Sequence, residues 1–323
     1  MREITYLQAI REGFAAGMRK DKTSFIVGEG IAERGGCFGH TQGLLKEFGP
    51  ERVLDTPISE SAFTGMCAAA AACGSRSIVD IMYLDFTLVA MDQIVNQVAK
   101  LRYMSGGQCK MPMTINGVFG GIRSGGAHHS QTLYPLFANI PGIKIVLPST
   151  AYDVKGLLAS AIMDDNLVMV LEHRALLNIK GDVPEEDYFI PLGEASIVKK
   201  GTDVTIVGLS FMVHHALRAA EILEKDGVSA EVIDPRTLVP FDKGTVIESV
   251  KKTGRMVVVD EAYAPCSFAS EIIAIVQEEA LDFLNAPIKR INTLSAPIPF
   301  SPPLENYILP NPEKIVAAVK AIM

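Results

Sequence analysis

Residues 77–117 read SIVDIMYLDFTLVAMDQIVNQVAKLRYMSGGQCKMPMTING. SIVDIMYL (77–84) is short and apolar enough to be a strand buried on both faces. FTLVAMDQIVNQVAKLRYM (86–104) then carries an apolar stripe at helical spacing, and KMPMTING (110–117) returns to a strand pattern. Strands and helices in alternation imply an α/β domain around a mostly parallel sheet. The alternation extends outward from this stretch in both directions. Upstream, ITYLQAIREGFAAGMRK predicts a helix capped by Thr5, with Leu7, Ile10 and Phe14 on one stripe, and SFIVG (24–28) predicts a strand. Downstream, IKIVLP (143–148) predicts a strand and AYDVKGLLASAIMDD (151–165) a helix behind the cap candidates Ser149 and Thr150.

The pattern breaks at ALLNIKGDVPEEDYFIPL, where Pro, Gly and acidic residues predict a linker over 176–192. A second α/β series follows: strands at DVTIVGL (203–209), SAEVID (229–234) and RMVVVDE (255–261), and helices at 212–227, 245–254 and 267–284. A proline-rich tail, APIPFSPPLENYILP, leads into a last helix, NPEKIVAAVKAIM. At 323 residues the chain exceeds what one core of about 250–300 residues sustains, so two domains are expected, 1–175 and 193–323.

A net charge of −7 argues against nucleic acid as a partner, because phosphate binding needs clustered Lys and Arg. Five scattered cysteines with no CxxC pair fit reduced thiols and a cytoplasmic location. The N-terminal MREITYLQAIREGFAAGMRK lacks the apolar core of a signal peptide, and no uncharged apolar run approaches the ~18 residues of a membrane span. A hydrophobic share of 48% therefore points to well-filled cores or to a large subunit contact.

Several residues stand out chemically. GEGIAERGG (28–36) holds a G-x-G but has Glu at position 33, so the dinucleotide fingerprint fails and a strand-to-helix turn is the plainer reading. Glu29 within it is either solvated or paired, or stands near a cofactor. In DTPISESAFTG (55–65), Glu60 heads an alanine-rich helix; it is either a dipole partner or a buried acid with a task. FGGIRSGGAHHSQ (119–131) lets backbone approach closely and ends in two histidines, of which at most one can face a site. YLDF (83–86) places Phe86 at a strand end, where parallel sheets put ligands, with core packing as the plainer reading.

Together DTPISESAFTG, IMYLDFTLVAMDQIVNQVAK, KLRYMSGGQ, GGAHHSQ, PGIKIVLPST, DPRTLVPFD, VVVDEAY and APIPFSPPLE closely resemble the β subunits of thiamine-diphosphate-dependent 2-oxo acid dehydrogenases. The resemblance to these pyruvate-, branched-chain- and acetoin-type enzymes runs in order over essentially the whole chain. It implies a pyrimidine-binding domain followed by a transketolase C-terminal-like domain. It implies that Glu60 hydrogen-bonds the N1′ nitrogen of the cofactor's aminopyrimidine and favours the imino tautomer that generates the thiazolium nucleophile. Phe86 would pack on the pyrimidine, with Met82, Ile58 and Glu29 nearby, and His129 would be the active-site histidine; His128 is extra to the motif. Ala161, Asp164 and Asn166, with Met113, resemble a potassium site built from backbone carbonyls.

The family holds the cofactor's diphosphate through Mg²⁺ on a GDG segment, and no GDG occurs here. The resemblance therefore implies half a cofactor site, completed by an α subunit that brings Mg²⁺ in an α₂β₂ heterotetramer, with a dihydrolipoyl acyltransferase core as a further partner. Two rivals remain at this point. One is the C-terminal half of a split transketolase-like enzyme, for which Arg123 is the only obvious sugar-phosphate anchor. The other is a non-catalytic α/β partner, for which Glu60 would be dispensable.

Overall fold

A computed structural model describes residues 1–122 and 124–323; Arg123 lies outside the described residues. The chain divides into two compact units, Met1–Phe119 with Leu136–Leu192 and Gly120–Pro135 with Gly193–Met323.

The first unit begins with β1 (Arg2–Thr5) and is built on six strands: β2 (Phe25–Gly28), β3 (Val53–Asp55), β4 (Ser77–Tyr83), β5 (Met113–Phe119), β6 (Ile143–Val146) and β7 (Leu167–His173). They run parallel in the order β6-β7-β5-β4-β2-β3. β5 and β7 are buried along their whole length, as strands covered on both faces must be. From β2 the chain goes to β3 on one side and then to β4 on the other. That reversal makes the carboxyl ends of β2 and β4 a switch point, where open α/β sheets bind ligands.

The helix Tyr6–Lys20 opens on a capping box: Gln8 N–H donates to Thr5 Oγ1 at 3.1 Å and Thr5 N–H to Gln8 Oε1 at 2.9 Å. It packs against the helix Ala151–Met163 closely enough that a Cβ on Gly17 would lie 2.6 Å from Ile162. Lys155 on the second helix is fully buried, donates to the Pro184 carbonyl at 2.7 Å and pairs with Glu12 at 3.0 Å.

Two regions depart from the sequence reading. The stretch 86–104 is not one regular α-helix: 3₁₀ turns over Leu84–Ala90 give way to a π-type segment, Asp92–Val98, and then to α-helix, Ala99–Met104. Thr87 contributes locally, because its hydroxyl donates to the Leu84 carbonyl at 2.5 Å and competes with the helical ladder. The expected linker contains β8 (Lys180–Val183), which pairs antiparallel with β1, Arg2 opposite Val183 and Thr5 opposite Lys180. Its partner lies at the far end of the unit's sequence, so no local pattern announces the strand.

In the second unit, β9 (Ser196–Lys199), β10 (Val204–Gly208) and β11 (Ala230–Asp234) precede a short β12 (Thr237–Val239), with β13 (Met256–Tyr263) and β14 (Lys289–Thr293) after it. The sheet order is β14-β13-β10-β11-β9, parallel except for β9. Val204, Ile206, Val232 and Val257 form its core with Leu223 of one helix and Ile315 of the last. Within the proline-rich tail, Pro302–Ile308 is helical, with proline in the first turn where its missing N–H costs nothing.

Candidate active site

The switch point of the first unit gathers acids. β2 ends at Gly28, whose register partner on β4 is Asp80; a Cβ on Gly28 would meet the Asp80 carbonyl at 2.8 Å, so only glycine fits. Glu29 follows directly. Thr56 N–H donates to the Gly28 carbonyl at 3.0 Å and Ala32 N–H to Asp55 Oδ1 at 2.8 Å, so the Glu29 turn is laced to the segment that leads to Glu60. Glu60 is the first residue of the helix Glu60–Ala72 and only 8% exposed. Ser59, before it, makes no side-chain cap, which leaves the first-turn N–H groups and the helix dipole to the acid. Burial lifts Glu29 above the ordinary carboxylate range, and the charges of Glu60 and Asp80 add to that. Its Oε1 is buried without a hydrogen-bond partner among the described residues.

Phe86 and Met82 are half-buried; Phe86 meets Tyr83 edge-on at 5.8 Å, and Tyr83 meets Phe38 edge-on at 5.3 Å. Ile58 is 82% exposed, an apolar side chain presented on the loop just before Glu60. Glu60, Glu29, Ile58, Met82 and Phe86 thus all belong to one unit, near the carboxyl ends of β2, β3 and β4.

His129 belongs to the second unit, on the glycine-rich loop. It is half-buried, whereas His128 is exposed. Two acids hold this loop: Glu261 Oε1 accepts the backbone N–H of Gly121 at 2.6 Å and the Thr132 hydroxyl at 3.4 Å, and Glu305 Oε2 accepts the backbone N–H of Ser124 at 3.2 Å. The loop needs holding, because Ile122 (φ 68°) and Ser124 (φ 55°) lie in the left-handed region that disfavours side chains. Tyr134 closes it with a short hydrogen bond to the buried Asp260.

Ala161 lies in the last turn of the helix Ala151–Met163 and Asp164 and Asn166 just after it, and the Asp165 carbonyl accepts Met111 N–H at 3.1 Å, two residues before Met113. The side chains here are committed to protein: Asp164 Oδ1 takes both Asn166 N–H groups at 2.9 and 2.8 Å, and Asn166 Oδ1 takes Arg102 at 2.6 Å. Arg76 donates to the Asp164 carbonyl at 2.8 Å. A cation at this turn would therefore rest on the remaining lone pairs of backbone carbonyls. Among the described residues no group of three or more His, Cys, Asp or Glu could hold a metal ion.

Sequence reasoning passed over a buried polar set behind Glu29, formed by His40, Asp80, Asn116 and Glu172. The signal was present: Asp80, Asn116 and Glu172 interrupt runs that otherwise read as strands buried on both faces.

Comparisons with known proteins agree along the whole chain. Residues 2–180 match the family model "Transketolase, pyrimidine binding domain" and residues 193–315 match "Transketolase, C-terminal domain". The acetoin:2,6-dichlorophenolindophenol oxidoreductase subunit beta of Bacillus subtilis (strain 168) is 44% identical, over 100% of this chain and 98% of that protein. The 2-oxoisovalerate dehydrogenase subunit beta of the same organism is 42% identical, over 100% and 99%. The pyruvate dehydrogenase E1 component subunit beta of Rickettsia felis is 43% identical, over 99% and 98%. A split gene transketolase, solved as an inactive beta4 tetramer, matches with a TM-score of 0.82 over 99% of this chain and 98% of that one, and at 20% identity this bears on the fold alone. With both domain models in order and full-length relatives at these identities, the chain belongs to the transketolase-like family of 2-oxo acid and acetoin dehydrogenase β subunits.

Proposed function

We propose that this chain supplies the aminopyrimidine half of a thiamine diphosphate site in the first component of a 2-oxo acid (pyruvate-type) or acetoin dehydrogenase complex. The observation that carries the reading is Glu60, water-shielded at the head of its helix beside a second acid, Glu29, in a domain of pyrimidine-binding type. The residues suit such a ring. Glu29 keeps a buried oxygen without a partner, and Ile58 and Phe86 offer apolar surface next to the acids. When bound, thiamine diphosphate supplies the carbon nucleophile for cleaving the bond next to the substrate carbonyl, after which the acyl group passes to a lipoyl carrier.

The chain's own residues then have distinct tasks. Glu60 accepts or donates the hydrogen bond at a ring nitrogen from the head of its helix, where it is 8% exposed. Phe86, Met82 and Ile58 orient the ring by packing. His129 moves a proton at an imidazole nitrogen, from a loop kept in place by Glu261 and Glu305. Diphosphate and Mg²⁺ belong to an α subunit in an α₂β₂ assembly. Met66, on the helix that Glu60 heads, and Leu88 and Val89, on the Leu84–Ala90 turns packed against it, are exposed apolar side chains that favour such a contact. A dihydrolipoyl acyltransferase is the expected next partner. K⁺ would sit on carbonyls of Ala161, Asp164, Asn166 and Met113. No helix among the described residues is long and apolar enough to cross a membrane, and the cytoplasm is the proposed location.

The test is Glu60→Gln and Glu60→Ala, each co-expressed with the α subunit. Both variants should fold and lose thiamine-dependent turnover, and full turnover by Glu60→Ala would overturn the assignment. The chain alone should bind thiamine diphosphate weakly.

A further inference from the structure

His40, Asp80, Asn116 and Glu172 come from four separate stretches of the first unit and meet in its interior. His40 Nε2 lies 2.7 Å from Asp80 Oδ1, and Asn116 Nδ2 donates to the same oxygen at 3.3 Å. Strand register sets the group: Asp80 is opposite Gly28 on one side and Asn116 on the other, and Glu172 on β7 pairs in register with Val118 of β5, two residues past Asn116. All four side chains are almost fully buried. Asn116 Oδ1 and His40 Nδ1 lack a hydrogen-bond partner among the described residues, and the Glu172 oxygens make no hydrogen bond of ordinary geometry, with the Asn116 amide the donor close enough to bear on their charge.

The count of donors decides what the cluster can hold. Two ionised carboxylates in a dry interior facing one imidazole and one amide would leave several acceptors unmet, at a cost that buried proteins do not sustain. One added proton on Glu172 changes this, since it removes a charge and creates an O–H that can donate to a neighbouring oxygen. Consistent with that, burial pushes Glu172 up to about 8, with His40 opposing, Asp80 adding and the Asn116 amide opposing. Burial resists charging His40, but Asp80 and behind it Glu172 outweigh burial and lift it above its ordinary value, with Arg11 opposing. The balanced resting arrangement is imidazolium on carboxylate at His40–Asp80, with Glu172 neutral.

Asp80 also faces the candidate site. Its strand touches Gly28, the residue before Glu29, and its charge reaches Glu29 and the exposed Cys37. From this geometry we infer that His40, Asp80, Asn116 and Glu172 form an internal proton-holding site, and that His40 is a positioning residue which, through Asp80, sets how readily Glu29 ionises beside Glu60. The second half of this inference rests on the function proposed above; the first does not.

Infrared difference titration of the full chain separates the two. The wild type should show a protonated-carboxyl carbonyl band at pH 7 that is lost on titration through about pH 8 and is missing from Glu172→Gln. Superimposable spectra for the two proteins would overturn the proton-holding site. Labelled-histidine NMR of the wild type reads the same cluster without a substitution. One imidazole should stay cationic after the others discharge, and its absence would count against the His40–Asp80 ion pair. In His40→Gln the Glu172 band should persist to higher pH, because a cation has been removed. For the positioning role, the αβ pair carrying His40→Gln should show the ionisation limb of its turnover–pH profile moved to higher pH. A lowered plateau with an unmoved limb means a merely structural His40 and overturns that role. A pair with no thiamine-dependent turnover in the wild type sinks the proposed function and the Glu29 role with it, while the infrared result still decides the cluster.

Discussion

Glu261 offers the sharpest test of how the histidine loop is held. Its carboxylate is almost fully buried and accepts Gly121 N–H at 2.6 Å and Thr132 Oγ1 at 3.4 Å. Glu261→Ala leaves the Gly121 N–H, itself buried, without a partner. An orphaned buried donor costs about 1–3 kcal/mol, and a bond to a charged acceptor is worth about 1.5–3. The longer Thr132 contact adds little, so about 2 kcal/mol is the local loss. Since about 1.4 kcal/mol is a factor of ten, amide exchange at Gly121 should speed up roughly 30-fold. Glu261→Gln keeps an acceptor oxygen but not the charge, and about 1 kcal/mol, or roughly fivefold, is expected. Hydrogen exchange resolved over 120–135 is the assay, with the strand amides of β10 as an internal control. Because the left-handed φ values of Ile122 and Ser124 store strain, release should spread along the loop rather than stop at Gly121. If Glu261→Ala lowers global stability while exchange at Gly121 and Ser124 stays at the wild-type rate, Glu261 is a core residue and not the loop's anchor.

Further perturbations test the frame around the site. Gly17→Ala puts a Cβ 2.6–2.9 Å from Ile162, and the overpacking should cost about 1–3 kcal/mol, seen as a Tm lowered by several degrees. Lys155→Ala removes the cation from a fully buried site with one carboxylate and the carbonyls of Pro184 and Glu185 around it; a loss of about 2–3 kcal/mol in urea unfolding is expected, less than for a sealed pair because Glu12 stays partly in water. Glu172→Gln should change the pH dependence of stability. With Glu172 raised from 4.5 to about 8 on folding, the native state binds the extra proton between those values, so wild-type stability falls as pH rises through that window. The variant lacks this slope, and denaturation at pH 5, 6.5 and 8 should show it gaining on the wild type at each step. Equal slopes would mean Glu172 is ionised throughout.

What could be read locally in the sequence was the alternation of elements. SIVDIMYL, IKIVLP and RMVVVDE are buried parallel strands, and buried strands advertise themselves as predominantly apolar runs. What escaped was set by pairing at a distance. KGDV is polar and carries no strand signal, yet it is a strand because residues 2–5 lie beside it in the fold, and Lys155 pins the following Pro184 to the helix layer. The irregular turns of 84–98 escaped for the opposite reason. Their apolar spacing is helical, and what breaks the ladder includes a single hydroxyl, Thr87, whose choice of partner is not encoded in periodicity.

The site was legible in the same uneven way. Glu60 was marked because an acid heads an alanine-rich helix, and the residues around it form recurrent motifs. His40 carried no mark, since a histidine in a glycine-rich loop reads as surface until the fold brings it 2.7 Å from Asp80. Yet the demand for such a residue was already present in the strands. An aspartate in SIVDIMYL and a glutamate in VMVLEH can be buried on both faces only if something nearby carries a positive charge or a proton. One imidazole neutralises one acid. The second acid then has to be neutral itself, because two strands each bury an acid and only one imidazole stands beside them.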